Sequence, residues 1–117
     1  MVRVRGLLAV LAFIAFSGSA PAPTVYDIQA IDLGDGTTAL QGSLAVAIGA
    51  AGILTGWFVR PDGTRQAVEG GRRGSAIWFD IGRFRATGTL RADGKIEGYA
   101  TLGRDQLAFT ASPVRAP

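Results

Sequence analysis

Apolar and polar residues alternate along most of the chain after its first two dozen residues, and glycine-containing turns separate the alternating segments. In the segment 84–91 the even positions hold Phe, Ala, Gly and Leu, whereas the odd positions hold Arg or Thr. Segment 95–102 repeats the pattern with Ile, Gly, Ala and Leu at its even positions. A period of two is that of a strand with one face toward a core. Asp93-Gly94 lies between the segments and suits the positive φ angles of a hairpin turn, so a hairpin is predicted here.

The same logic predicts further strands upstream and one downstream of this hairpin. They cover about 25–33, 37–48, 53–60, 64–69 and 76–81, and a last strand has Leu107, Phe109 and Ala111 facing inward. Glycine-containing stretches provide the turns, at 34–36, 61–63, 70–74 and 103–105. About eight short consecutive strands predict an all-β, up-and-down antiparallel meander that forms a barrel or half-barrel.

One segment, 44–54, is open to a second interpretation because its alanine content also suits a helix. Gly49 and Gly52 oppose a long helix, since glycine lowers helix stability. Leu44, Val46 and Ile48 keep the alternation of a strand. The pattern therefore favours strand, turn and strand.

The first twenty residues differ from the rest of the chain. Arg3 and Arg5 precede an uninterrupted apolar run over 7–16, and the small residues Ser-Gly-Ser-Ala follow at 17–20. This order is typical of a secretory signal peptide. The predicted organisation is a signal peptide at 1–19, an extended leader at 20–24 and a single β domain at 25–117. The competing interpretation is a retained anchor, but a spanning helix needs about 20 apolar residues. We therefore expect an exported protein, periplasmic or extracellular, with no stable transmembrane span after processing.

Composition supports one folded domain and limits its chemistry. Of the 117 residues, 48% are hydrophobic and 18% are charged, a balance that buries a core. Without Arg3 and Arg5, Lys and Arg number 10 against 9 Asp and Glu, a net charge of +1. Such a weak charge argues against nucleic acid as a partner. The chain has no cysteine and no histidine, so neither disulfides nor zinc sites built on those residues are available. No metal and no cofactor is expected.

The absence of cysteine and histidine also argues against an enzyme. Nucleophilic catalysis that uses a Ser-His or Cys-His pair is excluded, and Lys95 is predicted to face solvent after its turn. Four carboxylates are available for glycoside hydrolysis, namely Asp32, Asp35, Asp80 and Glu97. Asp35 precedes a glycine in a predicted turn, where aspartate ordinarily bonds to the backbone, and the same explanation outweighs a calcium loop with Asp32. We predict no catalytic residue.

Two groups of side chains are candidate binding residues. Arg72 and Arg73 lie in the glycine-rich segment 70–74, where guanidinium groups and free amides suit an anion, although a solvated loop explains the segment too. The aromatic residues alternate along the predicted strands, so some face each side of the sheet, and one or more of Trp57, Trp78 and Tyr99 are expected outside the barrel. An exposed aromatic patch marks a binding surface. The alternative is that these rings cover a second layer or plug an end of the barrel.

Two hypotheses for function follow. The first is a non-enzymatic exported binding or interaction module of the cell envelope, which uses its aromatic and arginine side chains to contact an envelope protein or a glycan. The second is a small barrel that carries an apolar ligand inside, as lipocalin-like barrels do, an analogy of architecture alone. Glycine and alanine at interior positions are expected to leave the space that such a ligand needs.

Overall fold

The computed structural model describes residues 22–114, and these residues form eight strands. The strands are β1 (Thr24–Asp32), β2 (Thr38–Ile48), β3 (Ile53–Val59), β4 (Arg65–Arg73), β5 (Ala76–Ile81), β6 (Phe84–Leu90), β7 (Ile96–Leu102) and β8 (Asp105–Pro113). The predicted signal peptide lies outside the described residues. Within those residues, no helix is long and apolar enough to cross a membrane.

The strands close into an up-and-down barrel. Each strand pairs antiparallel with the next along the chain, and β8 pairs with β1, with Phe109 opposite Ala30. The prediction of an all-β antiparallel meander is confirmed, and the closed form is the one that the chain adopts. Closure leaves no unpaired sheet edge, which matters for a small domain without disulfides.

Aspartate sets the geometry of three of the turns. Asp93 accepts a hydrogen bond from the backbone N–H of Lys95 at 3.0 Å, and Gly94 has a φ of 92°. Asp35 and Asp62 accept from the backbone N–H two residues on in the same manner, each at 2.9 Å. The hairpin predicted at Asp93-Gly94 is therefore confirmed, with the side chain bonding that the residue type implied.

Alternation along each strand sends one face inward. Eighteen hydrophobic residues are buried, and within residues 22–114 no polar or charged side chain is buried with them. Three phenylalanine rings lie at the centre: Phe79 meets Phe109 edge to face at 5.5 Å between centroids, and Phe84 lies 6.4 Å from both. Edge-to-face contacts of this kind add to the burial of apolar area, which is what holds the barrel together.

Interior glycines do not leave empty space. Gly88 and Gly98 are opposite one another on β6 and β7, and a Cβ on Gly98 would stand 2.5 Å from the Gly88 Cα. A Cβ on Gly88 would stand 3.0 Å from Cζ of Phe109. The two strands thus approach closely, and a neighbouring ring takes the space that a side chain at Gly88 would occupy. The room expected for an interior ligand is filled at this level of the barrel.

The prediction of strand, turn and strand for the segment 44–54 is confirmed. β2 continues to Ile48, the chain turns through Gly52 with a φ of 79°, and β3 begins at Ile53. Leu44 and Leu54 are both buried, as strand alternation required.

The prediction of a glycine-rich loop at 70–74 is wrong. β4 continues through this segment to Arg73, with Arg72 opposite Ile77 and Arg73 opposite Ala76 on β5. The backbone amides are engaged rather than free, since Arg72 N–H donates to the Gly52 carbonyl at 2.8 Å. Sequence propensity assigned the glycines to a loop, but the partner strands on both sides hold them in the sheet.

Candidate binding surface

Register brings one residue from each of five neighbouring strands into one line on the outside of the barrel. Across β3 to β7, each residue of this line is directly opposite the next, in the order Ile53, Gly71, Trp78, Thr87, Tyr99. Three of them are large and apolar, and their exposed fractions are 60% for Ile53, 44% for Trp78 and 69% for Tyr99. We call this line the aromatic row.

The small residues between the large ones shape the row. Neighbouring strands lie about 4.8 Å apart, so the three large side chains, on alternate strands, are about 10 Å apart. Gly71 is buried because the indole of Trp78 lies over it: a Cβ at Gly71 would be 2.6 Å from Cζ2 of that ring. The ring therefore extends across β4 toward Ile53 and presents a broad apolar surface to solvent.

Two depressions flank the row and differ in charge. One, of about 370 Å³, includes Ile53, Trp78, Glu69 and Asp80 in its lining. Glu69 and Asp80 are directly opposite one another in register, an arrangement that destabilises a sheet when both are ionised.

The other depression, of about 480 Å³, includes Leu33, Arg85, Thr87 and Tyr99. Arg85 is its charged group, and Leu33 adds a further side chain that is 54% exposed. The row thus has an acidic flank on the Trp78 side and a basic flank on the Tyr99 side.

The structure places Trp57 outside the barrel but not in the row. It is 47% exposed on β3, opposite Ala67, and the guanidinium of Arg65 lies 4.8 Å above its ring centroid. A cation over an indole face satisfies the ring's electrostatic preference within the protein itself. Of the three predicted aromatic residues, Trp78 and Tyr99 are brought together and Trp57 is separate.

The two predicted arginines point to different places. Arg73 is exposed at the end of β4, in the outward alternation of Glu69 and Gly71. Arg72 is on the opposite face, at the rim of the barrel, and its Nε donates to the Gly74 carbonyl at 2.7 Å. Burial raises the pKa of Tyr26 there, and the positive charge of Arg72 partly offsets that rise. The pair does not form one anion site.

Asp80 and Glu97 lie too far apart along the sheet to act as a catalytic pair. Register puts Asp80 opposite Arg85 and Glu97 opposite Thr89, four positions apart along β6, or about 13 Å of strand. Glycoside hydrolysis needs two carboxyl groups roughly 5–9.5 Å apart. Glu97 is also engaged, since it pairs with Arg91 at 3.1 Å.

The two remaining carboxylates stabilise a turn. Asp32 accepts from the Gly34 N–H at 2.7 Å. Asp35 accepts from both the amide and the hydroxyl of Thr37, and these bonds lower the pKa of its carboxyl. Across residues 22–114 no three Asp or Glu side chains gather in a way that would hold a metal ion.

Sequence reasoning missed Ile53 and Gly71 as parts of the binding surface. The signal for Ile53 was present, because Leu54 and Phe58 take the inward parity of β3 and leave Ile53 outward. Gly71 had no such signal, since its role depends on register with Trp78. Comparisons of the chain with protein-family models, curated proteins and solved structures found no significant match.

Proposed function

We propose that this protein is a non-enzymatic binding module of the cell envelope, and that the aromatic row is the surface with which it holds a protein partner. The observation that carries the proposal is the alignment of Ile53, Trp78 and Tyr99 in one register line with small residues between them. Exposed large apolar side chains scattered singly need no explanation, but several of them aligned on one face mark an interaction site.

A protein suits this surface better than a glycan or a free apolar molecule. The row runs across four inter-strand intervals, about 19 Å, which matches the span of a protein contact rather than a single small ligand. Tryptophan and tyrosine are the residues that most often dominate binding energy at protein interfaces. The acidic depression beside Trp78 and the basic one beside Tyr99 would fix the orientation of a partner with complementary charges.

Export to the envelope is the part of the proposal that rests on sequence. The basic and apolar order of residues 1–20 supports it, and a weakly charged domain without cysteine is compatible with it. The measured mass of the protein isolated from its host tests this directly, because cleavage after Ser19 gives a chain that begins at Ala20. A mass equal to the full chain would contradict export by a cleaved signal.

Carriage of an apolar ligand inside the barrel is less well supported. The Phe79, Phe84 and Phe109 rings lie together at the barrel's centre, and their exposed fractions are 1%, 1% and 3%. Space for an interior ligand would have to be opened against this packing, at the cost that tight protein interiors impose.

Site-specific photo-crosslinking in the producing cell tests the row. A crosslinking amino acid replaces Thr87, between Trp78 and Tyr99, and in a second strain replaces Thr110 on the outer face of β8. We expect one discrete protein adduct from position 87, lost when Trp78→Ala or Tyr99→Ala is added. Trp57→Ala is the matched control, an exposed tryptophan outside the row, and should leave the adduct intact. Equal adducts from both positions, or loss with Trp57→Ala alone, would contradict the proposal.

A further inference from the structure

One end of the barrel, here called its mouth, carries the turns 33–37, 60–64, 82–83 and 103–104. A recess of about 490 Å³ lies there, a volume within the range of small-molecule sites. Its apolar lining includes Leu40, Phe84 and Leu102. Leu40 and Leu102 are only partly buried, so the recess offers apolar contact area that the core does not use.

The charged groups in the lining of this recess are both positive. Arg60 and Arg83 line it, and no carboxylate does. The single ion pair within residues 22–114 joins Arg91 to Glu97, near the opposite end of the barrel, so neither lining arginine has a carboxylate partner within 4 Å there. The recess thus combines an apolar floor with two guanidinium groups that are not ion-paired, a combination suited to an anion with a hydrocarbon body.

Arg60 is held in place before any ligand arrives. Its guanidinium lies 5.2 Å from the ring centroid of Phe58, and its Nη2 donates to Oε1 of Gln66 at 2.9 Å. The Gln66 amide in turn lies against Gly82, where a side chain would collide with it. Guanidinium groups fixed in this way lose less conformational freedom when they bind.

Arg83 extends from the next turn. Gly82 and Gly103 have φ angles of 59° and 64°, and both are followed by arginine, so the β5–β6 and β7–β8 turns are alike. Nη2 of Arg83 stands 3.2 Å from where a Cβ of Gly103 would be, so its side chain crosses toward the β7–β8 turn. Arg104, at the equivalent place in the second turn, is not in the lining of the recess.

We propose that this mouth binds a free medium-chain monocarboxylate, with its carboxylate on Arg60 and Arg83 and its alkyl chain on Leu40 and Leu102. Charge complementarity selects an anion, and the apolar floor selects one with a hydrocarbon body. The chain must be short because Phe58 and Phe84 are fully buried immediately below the recess and close the path along the barrel axis. The site is independent of the aromatic row, which is on the outer wall.

Calorimetric titration with decanoate tests the proposal, with decanol as the uncharged ligand of equal chain length and acetate as the anion without a chain. We expect decanoate to bind and both comparison compounds to bind at least about tenfold more weakly. Arg83→Gln should weaken decanoate binding about tenfold, and Arg104→Gln, the matched arginine outside the recess, should leave it unchanged. Both residues are exposed, so both variants should fold.

Several results would overturn the inference. Equal binding of decanol would remove the role of the arginines, and equal binding of acetate would remove the role of the apolar floor. Unchanged affinity in Arg83→Gln would place the ligand elsewhere. Sedimentation with phosphatidylglycerol vesicles, lost in Arg83→Gln, would assign the site to a membrane headgroup instead of a free carboxylate. Trp78→Ala should leave decanoate binding intact, and Arg83→Gln should leave the position-87 adduct intact, so each proposal fails on its own.

Discussion

Truncation of Phe109 is the sharpest test of the closed and filled barrel. The ring is 3% exposed, meets Phe79 edge to face at 5.5 Å and lies 6.4 Å from Phe84. Phe109→Ala removes a buried aromatic ring, which costs about 3–5 kcal/mol. We expect the upper part of that range, because Gly88 stands against the ring and has no side chain with which to fill the cavity. Small domains have only about 5–15 kcal/mol of stability in total.

Urea denaturation followed by circular dichroism measures this loss. With a slope of about 1.5 kcal/mol/M, a loss of about 4.5 kcal/mol lowers the midpoint by about 3 M. Phe109→Leu is the matched control, since it keeps an apolar branch in the interior, and it should cost only about 1–1.5 kcal/mol. A double-mutant cycle with Phe79→Ala should return about 0.5–1.5 kcal/mol of coupling from the edge-to-face pair.

A Phe109→Ala variant whose midpoint falls by less than about 0.5 M with the slope unchanged would contradict this prediction. Such a result would mean that the ring is not enclosed on all sides. Binding of apolar compounds inside the wild-type barrel would likewise show that the interior is not filled.

Three further predictions concern the strand contacts and the titrating groups. Gly98→Ala should lower the melting temperature by about 10 °C or more, because its Cβ would meet backbone atoms of β6 that cannot rotate away; an unchanged melting curve would refute the close approach. The carboxyl of Asp35 should titrate below 3.8 by NMR, and Thr37→Val should raise that pKa, because the variant lacks the hydroxyl that donates to the carboxylate. The stability that the hydrogen bonds from Thr37 contribute should be lost as the pH falls through the lowered pKa. Tyr26 should ionise above 10, as followed by ultraviolet absorbance, and Arg72→Ala should raise that pKa further. Because the folded pKa of Tyr26 is the higher one, its contribution to stability is complete below 10 and is lost as the pH rises above it; a fall of the pKa in Arg72→Ala would contradict the assigned contact.

The amino-acid pattern determined most of the architecture. The alternation in segments 84–91 and 95–102 placed Phe84 and Ile96 inside, and both are buried. Three Asp-Gly pairs predicted the positions of three turns, and in each turn the aspartate accepts a hydrogen bond from the backbone N–H two residues on. These features are local, because a period of two and a turn residue act over a few positions and do not depend on what lies across the barrel.

The local pattern led to a wrong prediction for one segment, 70–74, for a related reason. Gly70 and Gly71 have low strand propensity, and two arginines follow, so a loop was the local expectation. In the structure, β3 and β5 pair with β4 on both sides along this stretch, and these hydrogen bonds override the propensity.

Alternation by itself established that Trp57, Trp78 and Tyr99 could lie outside the barrel, and composition established that the chain has no Cys or His for chemistry. Only the tertiary structure decided that Trp78 and Tyr99 belong to one row with Ile53 while Trp57 does not. Only closure of the barrel brings Arg60 and Arg83 to one mouth. The physical reason is that a strand's own sequence fixes which face each side chain takes, whereas its neighbours across the sheet are fixed by register, which the whole set of turns and the packed interior determine together.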